Sequence, residues 1–227
     1  MIWITGDKHG QLEYFLDNPS YKKVKKHDTI IVCGDFGFLW DNSLKEQKNL
    51  KWLSKRKYNI AFVDGCHDNQ QLLSKYPIGE WNGGQARYIR DNIIQLLRGE
   101  TYQIDGKNVL AFGGGSSENK TDHAKGVSWW PEESPTQKQI DNVIENIRKA
   151  NGNFDVIVTH EAPLSIKSCM ENEQKNYDLI HEILEEIRTH TDFKKWYFGK
   201  YHADKFIPPK YQAVFDYLIP VVDEHPN

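Results

Sequence analysis

Cysteine is scarce in this chain of 227 residues, and its three copies, Cys33, Cys66 and Cys169, stand far apart. That number and spacing exclude a disulfide framework and point to a reducing compartment. Long apolar runs are missing too: none approaches the roughly 20 residues that cross a bilayer. No basic segment followed by a long apolar one opens the chain, so neither a leader nor a membrane span is expected. An excess of one charge is also lacking. The formal net charge of −3 gives no overall pull toward nucleic acid or a membrane surface. Two local basic clusters, at 22–26 and 51–57, fit solvated helix and loop faces. No repeat, low-complexity tract or linker divides the sequence, so one domain over residues 1–227, soluble and cytoplasmic, is the expectation.

What is present is a series of short apolar runs, each ending in a polar loop. The run at 1–4 ends in Thr5-Gly6-Asp7-Lys8-His9-Gly10, the β-branched run at 29–33 in Gly34-Asp35-Phe36-Gly37, and the run at 58–63 in Asp64-Gly65-Cys66-His67-Asp68. Helical stretches at 11–17 and 43–56, the latter with Leu50 and Leu53 on one side, separate these runs. The alternation predicts a βαβαβ start and a buried parallel sheet whose polar loops gather at the carboxyl ends of the strands. Between 76 and 112 the pattern changes to short Gly-broken strands, and Asp105-Gly106 between two apolar runs predicts an antiparallel hairpin. A polar segment then runs from Gly113 to Trp130. A helix follows, with Ser134 as N-cap, Pro135 in the first turn, Gln137 closing a capping box, and Ile140, Val143, Ile144 and Ile147 as its apolar stripe. The strand pattern at 154–159 ends at His160, and that at 194–198 at Gly199-Lys200-Tyr201-His202. Between them Ile180, Ile183, Leu184 and Ile187 mark another amphipathic helix, and 211–222 offers one or two final strands.

Five strands thus terminate in Asp7/His9, Asp35, Cys66/His67, His160 and Lys200/His202. Each alone is ordinary, because Gly-Asp turns are common and a single His is more often a core or surface group than a ligand. Together, at equivalent positions, they meet the demand of a metal centre in which carboxylates supply charge and imidazoles a directional nitrogen.

In order and spacing these residues resemble the calcineurin-like metallophosphoesterases, whose pattern is D-x-H, G-D, G-N-H-[DE], H and G-H-x-H. The match extends from residue 6 to residue 202. The resemblance implies an α/β fold, a four-layer α/β/β/α sandwich with two mixed β-sheets and a two-metal centre at the strand ends. By position it implies that Asp7, His9, Asp35 and His202 form a first metal site, with Asp35 bridging to a second that includes His160. It further implies that His67 contacts the substrate phosphate and protonates the leaving oxygen, with Asp68 orienting His67. The cofactor it implies is a divalent metal (Mn, Fe, Zn or Ni), with the first site complete and the second open.

Two positions depart from the pattern, since Cys66 replaces the family's Asn and Lys200 the first His of G-H-x-H, both ligands of the second metal. Three readings follow. Lys200 supplies the charge of a missing ion; or Asp35, Cys66 as thiolate and His160 hold a softer ion such as zinc; or the site is degenerate and the fold serves as a ligand- or protein-binding module. Lys8 either adds positive charge at the mouth or faces solvent. Arg90, Arg98, Trp129 and Trp130 are candidates for shaping a substrate, as guanidinium groups fork onto phosphate and indoles stack on bases. The expected function is a metal-dependent phosphoesterase that attacks a phosphate ester through metal-activated hydroxide, in particular a phosphodiesterase acting on a nucleotide or small nucleic acid.

Overall fold

Strands that are apolar on both faces need cover on both faces, and the chain supplies it by stacking two sheets between two layers of helices. The computed structural model describes residues 1–117, 126, 130–170 and 178–222. Its strands are β1 (Ile2–Thr5), β2 (Thr29–Cys33), β3 (Asn59–Val63), β4 (Ile78–Trp81), β5 (Gly84–Arg90), β6 (Ile93–Leu96), β7 (Thr101–Ile104), β8 (Lys107–Phe112), β9 (Asn153–Thr159), β10 (Asp192–Phe198), β11 (Lys205–Ile207), β12 (Tyr211–Ala213) and β13 (Ile219–Pro220). The helices are α1 (Glu13–Asp17), α2 (Leu44–Leu53), α3 (Gln70–Leu73), α4 (Gln137–Lys149), α5 (Leu164–Lys167) and α6 (Leu179–Thr189).

One sheet has seven strands in the order β13-β1-β2-β3-β6-β5-β4, the other six in the order β11-β12-β10-β9-β8-β7. Both are mixed. The run β1-β2-β3-β6 is parallel and continues into the antiparallel strands β5 and β4. Likewise β8, β9, β10 and β12 are parallel, with β7 and β11 antiparallel at the edges.

Period-2 alternation assigns each face of a strand to a layer. Ile31 and Cys33 of β2 and Ala61 and Val63 of β3 meet Val109 and Ala111 of β8 and Val156 and Val158 of β9 in the core between the sheets. The alternate residues Ile30, Val32, Ile60 and Phe62 face outward onto Leu50 and Leu53 of α2. On the other side Leu110, Phe112, Trp196 and Phe198 pack against Val143 of α4 and Ile180, Leu184 and Ile187 of α6. The expected four-layer α/β/β/α sandwich is the observed one.

The differences are local. Helix α4 starts two residues later than the sequence predicts: Thr136 is the N-cap, and Gln139 rather than Gln137 closes the capping box. Ser134 has extended backbone at φ −74° and ψ 140° and ends a 3-10 turn over Pro131–Glu133. Thr136 and Gln139 satisfy each other's backbone N–H groups, Thr136 Oγ1 accepting from Gln139 at 3.4 Å and Gln139 Oε1 accepting from Thr136 at 2.9 Å, and this reciprocal pair fixes the boundary. The hairpin β4–β5, turning at Asn82-Gly83 with φ 50° and 88°, adds a second two-residue turn of the same kind as Asp105-Gly106.

Candidate metal centre

The loops after β1, β2 and β10 all break from extended backbone into left-handed conformation. His9, Asp35, Lys200 and His202 have φ of 45°, 44°, 69° and 45°. For residues with a Cβ such backbone costs of order 1–3 kcal/mol each, and it persists where the surroundings hold it. Here it turns the side chains of three separate loops onto a common point. Two glycines let those loops close together. A Cβ on Gly65 would lie 2.1 Å from Asp35 Oδ1, and one on Gly199 would lie 2.3 Å from Asp7 Oδ1.

Asp7, His9 and His202 make the first donor group. His9 Nε2 and His202 Nε2 are 3.0 Å apart, and Asp7 Oδ2 lies 3.2 Å from His202 Nε2 and 3.9 Å from His9 Nε2. Asp7 Oδ2 is buried and makes no aligned hydrogen bond. Ligand atoms about 2.0–2.2 Å from a shared ion stand about 3–3.5 Å from one another, so this spacing fits a divalent cation. Burial lowers the pKa of His9, while proximity to Asp7 raises that of His202.

Asp35 stands between this group and a second. Its Oδ2 is 4.0 Å from His9 Nδ1 and 2.7 Å from His67 Nδ1, whereas its Oδ1 accepts from the His67 backbone N–H at 2.7 Å and is 3.5 Å from His160 Nε2. The hydrogen bond to Asp35 pushes the His67 pKa up to about 10. Asp35, Cys66 and His160 form the second group, with Cys66 Sγ 3.6 Å from His160 Nε2 and 3.9 Å from Asp35 Oδ2. All three are buried.

A cation of the chain's own enters this second group. Lys200 Nζ lies 3.2 Å from Cys66 Sγ and 3.8 Å from Glu161 Oε1, and its backbone N–H donates to Asp7 Oδ1 at 3.1 Å. Burial opposes the charge on Lys200, but Cys66 and Glu161 more than offset it and raise its pKa. Glu161 is itself buried; burial raises its pKa, yet His181 and Lys200 hold the carboxyl down at about 2.

A family model described as calcineurin-like phosphoesterase matches residues 1–214. The chain belongs to the calcineurin-like phosphoesterase family. Its members act on phosphate esters with divalent metals. Among solved structures, a phosphopantetheinyl hydrolase from Mycobacterium tuberculosis shares 14% identity over 94% of this chain and 89% of that one, with a TM-score of 0.43. No curated protein matches.

Of the site residues anticipated from the sequence, this calcineurin-like phosphoesterase brings Asp7, His9, Asp35, Cys66, His67, His160, Lys200 and His202 together, and sends others elsewhere. Asp68 does not orient His67. Its oxygens accept from the backbone N–H groups of Gly65 and Gly37 at 2.9 Å and of Phe36 at 3.3 Å, which clamps the β2 and β3 loops to each other. Arg98 is buried against Asp64, 2.5 Å from its Oδ2, and donates to Glu132 O at 2.9 Å, so it braces the site from below and does not reach the mouth. Arg90 donates to Gln47 of α2 at 3.0 Å and to the Ile89 carbonyl. Trp130 is buried with its ring edge-on to Trp40 at 5.0 Å, and offers no face for stacking; Trp129 lies outside the described residues. Lys8 is neither at the mouth nor in solvent. It is fully buried, donates to Phe215 O at 2.7 Å over the Tyr14 ring, and has its pKa lowered to about 8 by burial.

Trp40, Glu161 and His181 escaped the sequence reading. Trp40, supported by Trp130, lines a cleft of about 330 Å³ with His9, Gly10, Gly37, Lys45 and His67. Glu161 adjoins His160 in sequence, and a carboxylate next to a ligand-type histidine at a strand end was the available signal for it.

Proposed function

We propose that the protein is a phosphodiesterase acting on a nucleotide or small nucleic acid. The observation that carries this reading is the cleft beside His9 and His67: Trp40 forms one wall, Lys45 lines it together with Asp41 and Glu46, and its volume of about 330 Å³ suits one nucleotide unit. An indole at a phosphate-handling site offers a base a stacking partner.

In this reading Asp7, His9, Asp35 and His202 hold a divalent cation, and their nitrogen and oxygen donors suit Mn, Fe or Zn. When bound, such an ion supplies Lewis acidity toward a phosphoryl oxygen and makes water acidic near neutral pH. The chain itself positions the groups and handles the leaving-group proton. His67 keeps Nδ1 on Asp35 Oδ2, which leaves Nε2 for the departing oxygen. As water displaces the ester oxygen from phosphorus, the P–O bond breaks and the proton on Nε2 passes to the alkoxide. The Nδ1 proton stays on the ring, donated to Asp35 Oδ2, and this bond keeps the ring in place.

The experiment compares a dinucleotide, bis(p-nitrophenyl) phosphate and p-nitrophenyl phosphate as substrates of manganese-loaded protein. The expectation is turnover of both diesters above that of the monoester, abolished by a chelator. Turnover confined to the monoester would overturn the diester assignment. A metal-loaded protein that turns over none of the three would instead favour a catalytically impaired binding module.

A further inference from the structure

We infer that the Lys200 ammonium occupies the second cation position, so that the protein holds one divalent ion per chain and presents a lysine to the phosphate where a second ion would stand. This inference rests on the phosphoesterase reading above.

The second donor group already has a cation of the chain beside it. Asp35, Cys66 and Glu161 face His160 and Lys200 within 4 Å in a buried setting. An ion bound to Cys66 at about 2.3 Å would lie within about 6 Å of the ammonium, with little water between to screen the repulsion. The lysine is held there at both ends. Its backbone N–H is tied to Asp7, which belongs to the first donor group, and its left-handed backbone at φ 69° aims the side chain at the second.

Glu161 anchors the arrangement to the helix layer. His181, at the start of α6, accepts the Asp178 backbone N–H on Nδ1 at 3.2 Å. The ring proton is therefore on Nε2, which lies 3.3 Å from Glu161 Oε2 as an ion-pair contact without an aligned hydrogen bond. The other carboxylate oxygen faces Lys200. An ammonium carries three donors. With one on Cys66 and one toward Glu161, the third is left for a phosphoryl oxygen, which is the charge stabilisation a second metal would otherwise supply.

The test counts ions. Protein saturated with manganese, freed of excess and measured by elemental analysis should hold one ion per chain in the wild type and in Lys200→Arg. In Lys200→Ala, Asp35, Cys66, His160 and Glu161 lose their cation, and the count should rise to two. Electron paramagnetic resonance should then change from an isolated to an exchange-coupled manganese signal. A wild-type chain that binds two ions would overturn this inference and leave the phosphoesterase reading intact, and so would a folded Lys200→Ala chain that stays at one. A wild-type chain with no ion would overturn both. The wild-type count decides the question even if the alanine variant does not fold.

Discussion

In the first donor group His9 and His202 are partly open, their side chains 27% and 51% exposed, beside a buried Asp7, whereas Asp35, Cys66 and His160 of the second are all sealed. Each donor group has an aspartate and a histidine with a third donor within 4 Å, a histidine in the first and Cys66 in the second, but they differ in what neutralises them. At the mouth, the Asp7 carboxylate converges with two imidazole nitrogens around a point that no cation of the chain fills among the described residues. At the floor, Lys200 lies against the sulfur, and Glu161 balances Lys200 in turn. Similar ligand geometry can therefore express a demand for an ion in one place and a demand already met in another. The buried neighbours decide which.

The largest expected effect breaks the mouth. Asp7→Ala should abolish ion binding and lower kcat/KM on a diester about 10⁴-fold, because the several kcal/mol of charge stabilisation that an ion supplies convert at tenfold per 1.36 kcal/mol. Equilibrium dialysis and steady-state rates check this, and undiminished ion binding would remove the distinction between the groups.

The brace beneath the site is next. Arg98→Met leaves the buried Asp64 carboxylate without its guanidinium and should cost about 3–5 kcal/mol of stability in urea titrations. The ion count should stay the same. A loss of ions without a loss of stability would mean that Arg98 acts on the site directly.

His67→Ala should slow cleavage of alkyl diesters about 100-fold through loss of the proton donor. With p-nitrophenolate, which leaves without help, the loss should be small. Equal losses on both substrates would point to a positioning role only. The smallest effect is expected at Trp40→Ala, which should raise KM for a dinucleotide about tenfold by loss of stacking, with kcat unchanged.

The fold and the mouth were largely legible in the sequence. Asp7, Asp35 and His160 each directly follow an apolar run or stand two residues beyond it, so once the strands are recognised parallel topology gathers Asp7 and Asp35 at one edge of the first sheet, and the stacking of the second sheet brings His160 to them. The two departures from the family pattern, Cys66 and Lys200, were legible by position as well. Their mutual contact was not, because it depends on the left-handed turn that points Lys200 inward.

Partners distant in sequence account for most of what was missed. Nothing near Arg98 announces that Asp64, 34 residues earlier, will bury it, and Lys8 finds its carbonyl acceptor 207 residues later at Phe215. Arg98 was a candidate for shaping a substrate and Lys8 was placed at the mouth or in solvent, and both are spent on internal partners. The orientation of His67 turned on a similar choice: Asp68 is its sequence neighbour, but the chain turns so that Asp35 receives the ring and Asp68 receives backbone N–H groups. The start of α4 shows the opposite case, a strictly local choice between two overlapping caps, Ser134 with Gln137 and Thr136 with Gln139, of which the second closes.

The most direct measurement of the central claim is anomalous diffraction at the manganese edge from crystals grown with the metal in excess. The account expects one peak, bounded by Asp7, His9, Asp35 and His202, with the Lys200 ammonium still against Cys66. Two peaks about 3.5–4 Å apart, the spacing of two-metal sites, with Lys200 displaced from the sulfur would contradict it.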